Sequence, residues 1–442
     1  MKKLVRISLI SITVCCACGG AHAASRSGQD GNFGSRVVSM REAVKMAIAH
    51  SPDVLMAEAQ SVRAGESLRE SRSLNLPQIH AGTGLAYNVG FPLSIEGSAP
   101  SIFRISGSKS IFSTRNANLI RGAEESVNSS RLGVEAARNG LAAKTAMVYY
   151  ELFQARKMIQ LAAERLEVII GQQELIEAAF EAGRVLPLEV AQAKNAVAAA
   201  RHQLLVAREQ AGIAETELRE LTGLTDDRAI QTMEPDLNSP VFEMSADDLY
   251  GKVLSRNPEI LQAESSIRAA EYNVAAEKGD RLPQINIISE YALFSRANNF
   301  DDYYKRFDRN NYLFGLSVRV PLFTGYRTDA RAAQRRQAVF EEQYRLRRLK
   351  SDLKITIQRA LSALRIARGA TALAQSDLET AEAMVRMNDT LLESGKISIE
   401  QLKESHLQLR QKELARLEAD QGLFERQLDL LRITGSLVSA IE

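Results

Sequence analysis

The sequence predicts a mainly α-helical protein with a small β part, in which long antiparallel coiled-coil helices and two β-hairpins occur twice. Long stretches are rich in Ala, Leu, Glu, Gln, Arg and Lys and poor in Gly and Pro, as expected for long helices. Two shorter regions alternate apolar and polar residues, which is typical of strands with one apolar face. Several motifs of the first half of the 442 residues recur in the second half, which indicates an internal duplication.

Five pairs of motifs carry the duplication. They are Ser51-Pro52 with Asn257-Pro258, Leu76-Pro77-Gln78-Ile79 with Leu282-Pro283-Gln284-Ile285, Ile111-Phe112-Ser113 with Leu322-Phe323-Thr324, Gly183-Arg184 with Gly395-Lys396, and Leu221-Thr222-Gly223 with Ile433-Thr434-Gly435. The offset is about 206 residues in the first two pairs and about 211 to 212 in the others. A loop between Ile79 and Ile111 is therefore predicted to be longer in the second copy. We divide the chain into repeats at 39–240 and 241–442.

The N-terminus has the features of an export signal. Basic residues precede an apolar run from Ile7 to Val14, and the small-residue site Ala21-His22-Ala23 follows. We predict a signal peptide over 1–23, followed by a flexible leader over 24–38. The three cysteines lie inside the signal, so the mature chain would lack thiols; acylation of one of them, as in a lipoprotein, stays an alternative. No later segment is long and apolar enough for a membrane-spanning helix.

Each repeat is predicted to contain four parts in the same order. A capping motif, Ser39 to Glu42 or Ser245 to Asp248, starts an opening helix of about 35 residues that ends at Leu-Pro-Gln. The later parts are hairpins at 79–112 and 285–323, long helices at 118–181 and 328–393, and return helices at 187–221 and 399–433.

The first long helix carries a heptad seam. Its apolar positions are Val134, Leu141, Val148, Ala155, Ala162, Ile169 and Ile176. At 1.5 Å per residue it would span about 95 Å. Neither the opening helix nor the return helix is long enough to cover it alone. We therefore expect these two helices to stack end to end along it.

The hairpins concentrate the aromatic residues, because 14 of the 25 Phe and Tyr fall in 81–115 and 285–326. Two hairpins are too few strands to close a barrel alone. A barrel closed by several protomers in an outer membrane would pair every strand edge and turn the aromatic faces toward lipid. The predicted lipid-facing aromatics are Tyr87, Tyr291, Tyr312 and Phe314.

The sequence gives no sign of catalysis, metal binding or a cofactor. Its 5 histidines show no metal-ligand spacing, and no nucleophile, base and acid can be assigned from spacing. The 56 basic and 54 acidic residues nearly cancel, which disfavours nucleic acid as a partner. We predict that the protein is not an enzyme.

The duplicated series of capped helix, Asn/Ser-Pro, Leu-Pro-Gln-Ile, hairpin, long helix, Gly turn and Leu/Ile-Thr-Gly resembles the outer-membrane factor family typified by TolC. The resemblance covers the chain from about Ser39. It implies a homotrimer with a trimeric α-barrel that crosses the periplasm and a 12-stranded transmembrane β-barrel in the outer membrane. It also implies two partners, a periplasmic adaptor protein and an inner-membrane pump, in a tripartite efflux system.

The resemblance implies two functional regions. Gly183, Arg184, Gly395 and Lys396 would form the periplasmic tip where an adaptor docks, although many drug-efflux members carry Val-Gly-Leu or Val-Gly-Thr there. Gln401 and Glu404 would form the entrance constriction, with one acidic position of the family replaced by an amide. Two alternatives stay open: the glycines are only left-handed helix caps, and Glu404 is only a solvated residue.

Two other functions stay open at this point. The chain could be the outer-membrane channel of a type I protein secretion system, because no motif identifies the cargo. It could also be a soluble periplasmic coiled-coil scaffold whose hairpins bind a partner by edge pairing. The alternating strands with an aromatic face favour the membrane duct.

Overall fold

The computed structural model describes residues 36–84, 101–226, 228–235, 237, 239–294 and 308–437. The helices are α1 Met40–His50, α2 Pro52–Ser73, α3 Thr114–Glu181, α4 Pro187–Thr222, α5 Ala246–Arg256, α6 Pro258–Gly279, α7 Arg327–Glu393 and α8 Ile399–Thr434. The strands are β1 Arg36–Val38, β2 Gln78–Gly84, β3 Ser101–Phe112, β4 Ile230–Thr232, β5 Gln284–Phe294 and β6 Asn310–Arg319. The mainly helical fold is as predicted. The predicted signal peptide, residues 24–35 of the predicted leader, and Tyr87 lie outside the described residues.

The prediction of one continuous opening helix was wrong, because each copy is broken after its first 11 residues. Ser51 has an extended backbone with ψ 127°, as expected for a residue before proline. Its hydroxyl accepts a hydrogen bond from the Asp53 N–H at 3.3 Å, so it caps the helix that starts at Pro52. Asn257 caps the equivalent helix of the second repeat and also donates from its side-chain amide to the Ile433 carbonyl at 3.1 Å.

The heptad seam of α3 is buried as the pattern predicts. Six of its seven positions, from Val134 to Ile169, are buried, and Ile176 is intermediate. The N-terminal half of α3 packs between α2 and α6, and its C-terminal half packs between α4 and α8. In addition, α7 packs on α6 and α8. The protomer is thus a wall four helices wide, in the order α2, α3, α6, α7 near the strands and α4, α3, α8, α7 farther away.

A two-stranded parallel sheet lies against the middle of the wall. Its first strand, β1, occupies residues 36–38, so the prediction that the flexible leader extends to residue 38 was wrong for these residues. Strand β1 pairs with β4, with Arg36 opposite Ile230. The Tyr149 hydroxyl, buried in α3, donates to the Val38 carbonyl at 2.9 Å and accepts from the Met233 N–H at 2.7 Å. These hydrogen bonds fix the position of the two short strands, which the local sequence pattern does not predict.

The four longer strands form one antiparallel sheet in the order β2-β3-β5-β6. The central pair joins the repeats, with Ile105 of β3 opposite Tyr291 of β5. Two edges, β2 and β6, therefore have no neighbour within the described residues of the protomer.

Candidate functional site

The four-stranded sheet has one mainly apolar face and one mainly polar face. Residues paired in register share a face, and the first face carries Ile79, Ala81, Phe103, Ile105, Ile285, Ile287, Tyr291, Leu293, Tyr312, Phe314, Leu316 and Val318, with Lys109 near its helix end. The second face carries Gln78, His80, Arg104, Ser106, Ser108, Ser110, Gln284, Asn286, Glu290, Asn311, Ser317 and Arg319, with Ile288, Phe294 and Leu313 as its larger apolar members. Such a sheet separates an apolar from an aqueous environment.

Three of the four predicted lipid-facing aromatics, Tyr291, Tyr312 and Phe314, lie on the apolar face. The Tyr291 ring lies 4.9 Å from the Tyr312 ring and 6.5 Å from the Phe103 ring, between centroids. In the protomer Tyr312 is 76% exposed and Phe314 is 81% exposed. An apolar surface of this kind on a sheet face requires a lipid or protein environment to cover it.

An ion pair lies at the centre of the polar face. Arg104 Nε lies 3.3 Å from Glu290 Oε1, on the two central strands. Sequence reasoning did not find this pair, because it depends on the register between β3 and β5, which join different repeats.

The helical wall is curved, and its concave side is polar in the half nearer the strands. A recess of about 680 Å³ is lined by side chains from α2, α3, α6 and α7 together. Since α3 and α6 lie between α2 and α7, a recess that all four share lies on the concave side. Its lining is mostly small or uncharged, with Gln60, Ser67, Ser126, Ser129, Ser130, Gln262, Ser266 and Asn273, and with Arg63, Glu341 and Glu342 at the flanking helices.

A second recess, of about 320 Å³, lies between α3, α4 and α8 and is more acidic. Glu151, Glu217 and Glu418 line it beside the amides of Gln154 and Gln421. Burial raises the pKa of Glu151, and the negative charges of Glu217 and Glu425 act in the same direction. At this level of the wall, burial and the neighbouring negative charges therefore disfavour the ionised form of Glu151.

The two predicted tip turns have the same backbone geometry. Gly183 and Gly395 have φ of +69° and +68°. The Arg184 N–H donates to the Ala179 carbonyl at 2.8 Å, and the Lys396 N–H donates to the Leu391 carbonyl at 2.9 Å, as in a Schellman motif. A Cβ added at either glycine would meet nothing within 4 Å. Each glycine is therefore a helix cap in an open turn, which leaves its surface accessible.

The two predicted constriction residues have different surroundings. Gln401 takes part in a capping box, because its side chain accepts from the Ser398 N–H at 3.1 Å and its own N–H donates to the Ser398 hydroxyl at 3.3 Å. Ser398 three residues before Gln401 is a sequence signal for this capping role. Glu404, one turn later, is exposed, and no ion pair involves it in the part of the chain that the structure describes.

The described residues contain no group of three or more His, Cys, Asp or Glu side chains placed to hold a metal ion. Among the helices of these same residues, none has the length and apolar content needed to cross a membrane.

The profile of a family described as "Outer membrane efflux protein" matches residues 43–224 and 249–436, one range within each predicted repeat. The chain belongs to the outer membrane efflux protein family. The match confirms the resemblance found in the sequence. It also confirms that the protein is an outer-membrane efflux protein and not a soluble periplasmic scaffold.

"Outer membrane efflux protein BepC" of Brucella suis is 24% identical over 356 residues, which cover 77% of this chain and 73% of BepC. "Outer membrane protein TolC" of Vibrio cholerae is 23% identical over 352 residues, or 78% and 80% of the two chains.

Solved structures show the same fold as this outer membrane efflux protein. The CmeC outer membrane channel of Campylobacter jejuni superposes with a TM-score of 0.73 at 15% identity, over 90% of this chain and 85% of CmeC. The outer membrane protein VceC of Vibrio cholerae superposes with a TM-score of 0.73 at 18% identity, over 90% and 96% of the two chains.

Proposed function

We propose that this protein is one protomer of a homotrimeric outer-membrane exit duct, which passively conducts substrates from a periplasmic adaptor and an inner-membrane pump to the exterior. The observation that carries the proposal is the four-stranded sheet, which has one apolar face, one polar face and two open edges. Open edges and an exposed apolar face destabilise an isolated protomer in water. A closed barrel in lipid satisfies both.

Strand direction is compatible with closure of the barrel. Successive neighbours in the order β2-β3-β5-β6 are antiparallel, so β2 and β6 run in opposite directions. Strand β6 of one protomer can therefore pair antiparallel with β2 of the next. Three protomers supply 12 strands, an even number as in other outer-membrane barrels. The apolar face, with Tyr291, Tyr312 and Phe314, then meets lipid, and the polar face lines the pore.

The helical wall continues the duct into the periplasm. At 1.5 Å per residue, the 68 residues of α3 span about 100 Å. Three curved walls form the α-barrel, with the hydroxyl- and amide-lined recess turned inward. Such a lining stays hydrated and offers few apolar contacts to a passing solute, which suits a conduit better than a binding protein. The duct has no catalytic role of its own.

The far ends of the helices supply the docking and entrance regions. Gly183, Arg184, Gly395 and Lys396 form the tip that binds the adaptor, and Gln401 and Glu404 lie at the entrance.

Small-molecule efflux is the function best supported by the relatives. The "Pyoverdine export outer membrane protein OpmQ" of Pseudomonas aeruginosa, named for pyoverdine export, is 27% identical over 314 residues, which cover 69% of this chain and 65% of OpmQ.

Disulfide cross-linking tests the barrel. His80 and Ser317 both lie on the polar face, two residues from the helix end of β2 and β6. A His80→Cys/Ser317→Cys chain should give, after oxidation in outer membranes, a covalent ladder that ends at three copies. His80→Cys alone is the matched control and should stay monomeric on denaturing gels. A ladder that continues past three copies would contradict closure.

Planar-bilayer recording tests the conduit itself. The purified protein should insert and give discrete conductance steps without an energy source. Recovery of the mature chain only among soluble periplasmic proteins, with no conductance, would refute the duct.

A further inference from the structure

We infer that Arg104 and Glu290 form an electroneutral girdle inside the barrel, so that the pore does not select its cargo by charge at this level. The inference rests on the proposed function, because it requires the polar face to line the pore. It assigns a role to two residues that lie far from the tip and from the entrance.

The contact is specific and belongs to the sheet itself. Arg104 is paired in register with Ala292, and Ser106 is paired with Glu290, so the two charged side chains are diagonal neighbours on adjacent strands. Their Nε and Oε1 atoms lie 3.3 Å apart, and the side chains are 27% and 35% exposed. Both side chains are therefore partly exposed, whereas the Arg104 Nε atom itself is buried against the sheet.

The pair lies at a height where the pore crosses the membrane. Glu290 is six residues beyond Gln284, where β5 begins at the helix end. At 3.3 Å per residue it lies about 20 Å along the strand. The apolar band of outer-membrane barrels is about 25 Å tall, and their strands are tilted. The girdle therefore lies within the membrane layer.

Few other charges share this face. In the four described strands, the polar face carries only two more ionisable residues, His80 and Arg319. Arg319 of β6 is opposite Gln284 at the helix end, and His80 of β2 is opposite Ser106 of β3. Glu290 is thus the one carboxylate on this face of the described strands, and Arg104 is the cation that neutralises it.

Threefold symmetry amplifies the effect of each charge. Three arginines and three glutamates at one level cancel, whereas either set alone is a ring of like charges. Rings of carboxylates favour cations, and rings of Arg or Lys favour anions. The pair therefore removes charge selection at its own level of the pore, and Arg319 at the helix end is a separate ring of charge.

The test compares Arg104→Gln, Glu290→Gln and the double variant by reversal potential in a KCl gradient. All recordings use a Glu404→Gln background, so that the entrance carboxylates do not mask the charge selectivity of the barrel. They are made at pH 8, where an ordinary histidine is neutral. At about 0.1 M salt, Arg104→Gln should raise the cation-to-anion permeability ratio about two- to threefold, and Glu290→Gln should lower it by a similar factor. The double variant should return to the parent ratio.

Two controls keep the test decisive. Both single shifts should shrink at 1 M salt, where the Debye length is only about 3 Å. If a single variant fails to assemble, the exchanged pair Arg104→Glu/Glu290→Arg restores the contact and should have the parent ratio. Shifts that are absent, or that have the same sign in both single variants, overturn the girdle while the parent pore still conducts. A parent that forms no pore refutes the proposed function instead.

Discussion

The ring of Tyr150 in α3 stacks on the ring of Phe424 in α8, with centroids 3.7 Å apart and planes within 10°. Both residues are buried, and burial raises the pKa of Tyr150 to about 12, against the hydrogen bond that the Gln154 amide donates to its hydroxyl. The contact joins the first repeat to the second inside the main hydrophobic core. The two repeats therefore share one core and are expected to unfold together.

Removal of the Phe424 ring should destabilise both repeats at once. Phe424→Ala is expected to cost about 3–5 kcal/mol, the usual range for a buried phenylalanine. Guanidinium unfolding followed by helical circular dichroism measures the loss. Phe424→Leu is the matched control and should cost clearly less, because it keeps most of the buried apolar surface. An unchanged midpoint for Phe424→Ala would show that the repeats do not depend on this contact.

Glu215 should make the stability of the protein depend on acid pH. Burial alone would raise its pKa, but hydrogen bonds from Arg219 at 2.8 Å and the Ile230 N–H at 3.1 Å, with the charge of Arg156, hold the pKa below its ordinary value of 4.5. The folded state thus binds this proton less readily than the unfolded state. The stabilisation is complete above pH 4.5 and is lost as the pH falls through the lowered pKa.

The variant Glu215→Gln isolates this contribution. At neutral pH it should cost about 1–3 kcal/mol, because the Arg219 and Ile230 donors lose their charged acceptor. Below pH 4.5 the difference from the parent should narrow. Unfolding midpoints across pH 3–8 provide the measurement, and Glu217→Gln, a more exposed residue of α4, is the control. A stability difference that stays constant with pH would contradict the assignment.

Substitution of glycine by alanine should destabilise the protein less at the tip than in the middle of the wall. A Cβ at Gly183 meets nothing within 4 Å, whereas a Cβ at Gly223, which also has φ +69°, would lie 2.5 Å from the His50 ring. Gly183→Ala should cost about 1–2 kcal/mol from the left-handed backbone alone. Gly223→Ala should cost more, since His50 must also move. Thermal unfolding of the two variants measures the difference, and equal midpoints would contradict it.

Bulky residues at the tip should uncouple transport from assembly. Gly183→Leu and Gly395→Leu should abolish efflux in cells and leave the trimer intact, because the turns are open to solvent in the protomer. Substrate retention assays and the mass of the extracted complex measure the two properties separately. Unchanged efflux would remove the tip from the docking site and leave the glycines as caps.

Glu404 should influence conductance at the entrance. Three carboxylates near one axis repel one another, so they attract cations. Single-channel currents of Glu404→Gln should show weaker cation selectivity and weaker block by divalent ions than the parent. Glu400→Gln is the control, because it removes the same single charge four residues earlier, at the helix start, where hydrogen bonding to Ser398 lowers the pKa of Glu400. Indistinguishable currents for Glu404→Gln would assign Glu404 to the solvated face.

Local sequence patterns predicted the helical part of the fold well. The seam from Val134 to Ile169 is buried because heptad spacing alone determines which side of a long helix meets its neighbours. Glycines with left-handed backbones, Gly183 and Gly395, end the long helices where the motifs placed the turns.

Long-range relationships were not predictable in this way. The strand Arg36–Val38 pairs with residues almost 200 positions away, and a strand of three residues is too short to show an alternating pattern in the sequence. The pair Arg104 and Glu290 requires the register between repeats. The capping role of Gln401 is local and was also missed, although Ser398 three residues earlier signals it.

The oligomeric state of the protein extracted from outer membranes tests the central claim most directly. Native mass spectrometry of the detergent-purified protein should give three times the mass of the mature chain, because three sheets with open β2 and β6 edges close one 12-stranded barrel. A stable, monodisperse monomer that keeps its strand signal in circular dichroism would contradict the account.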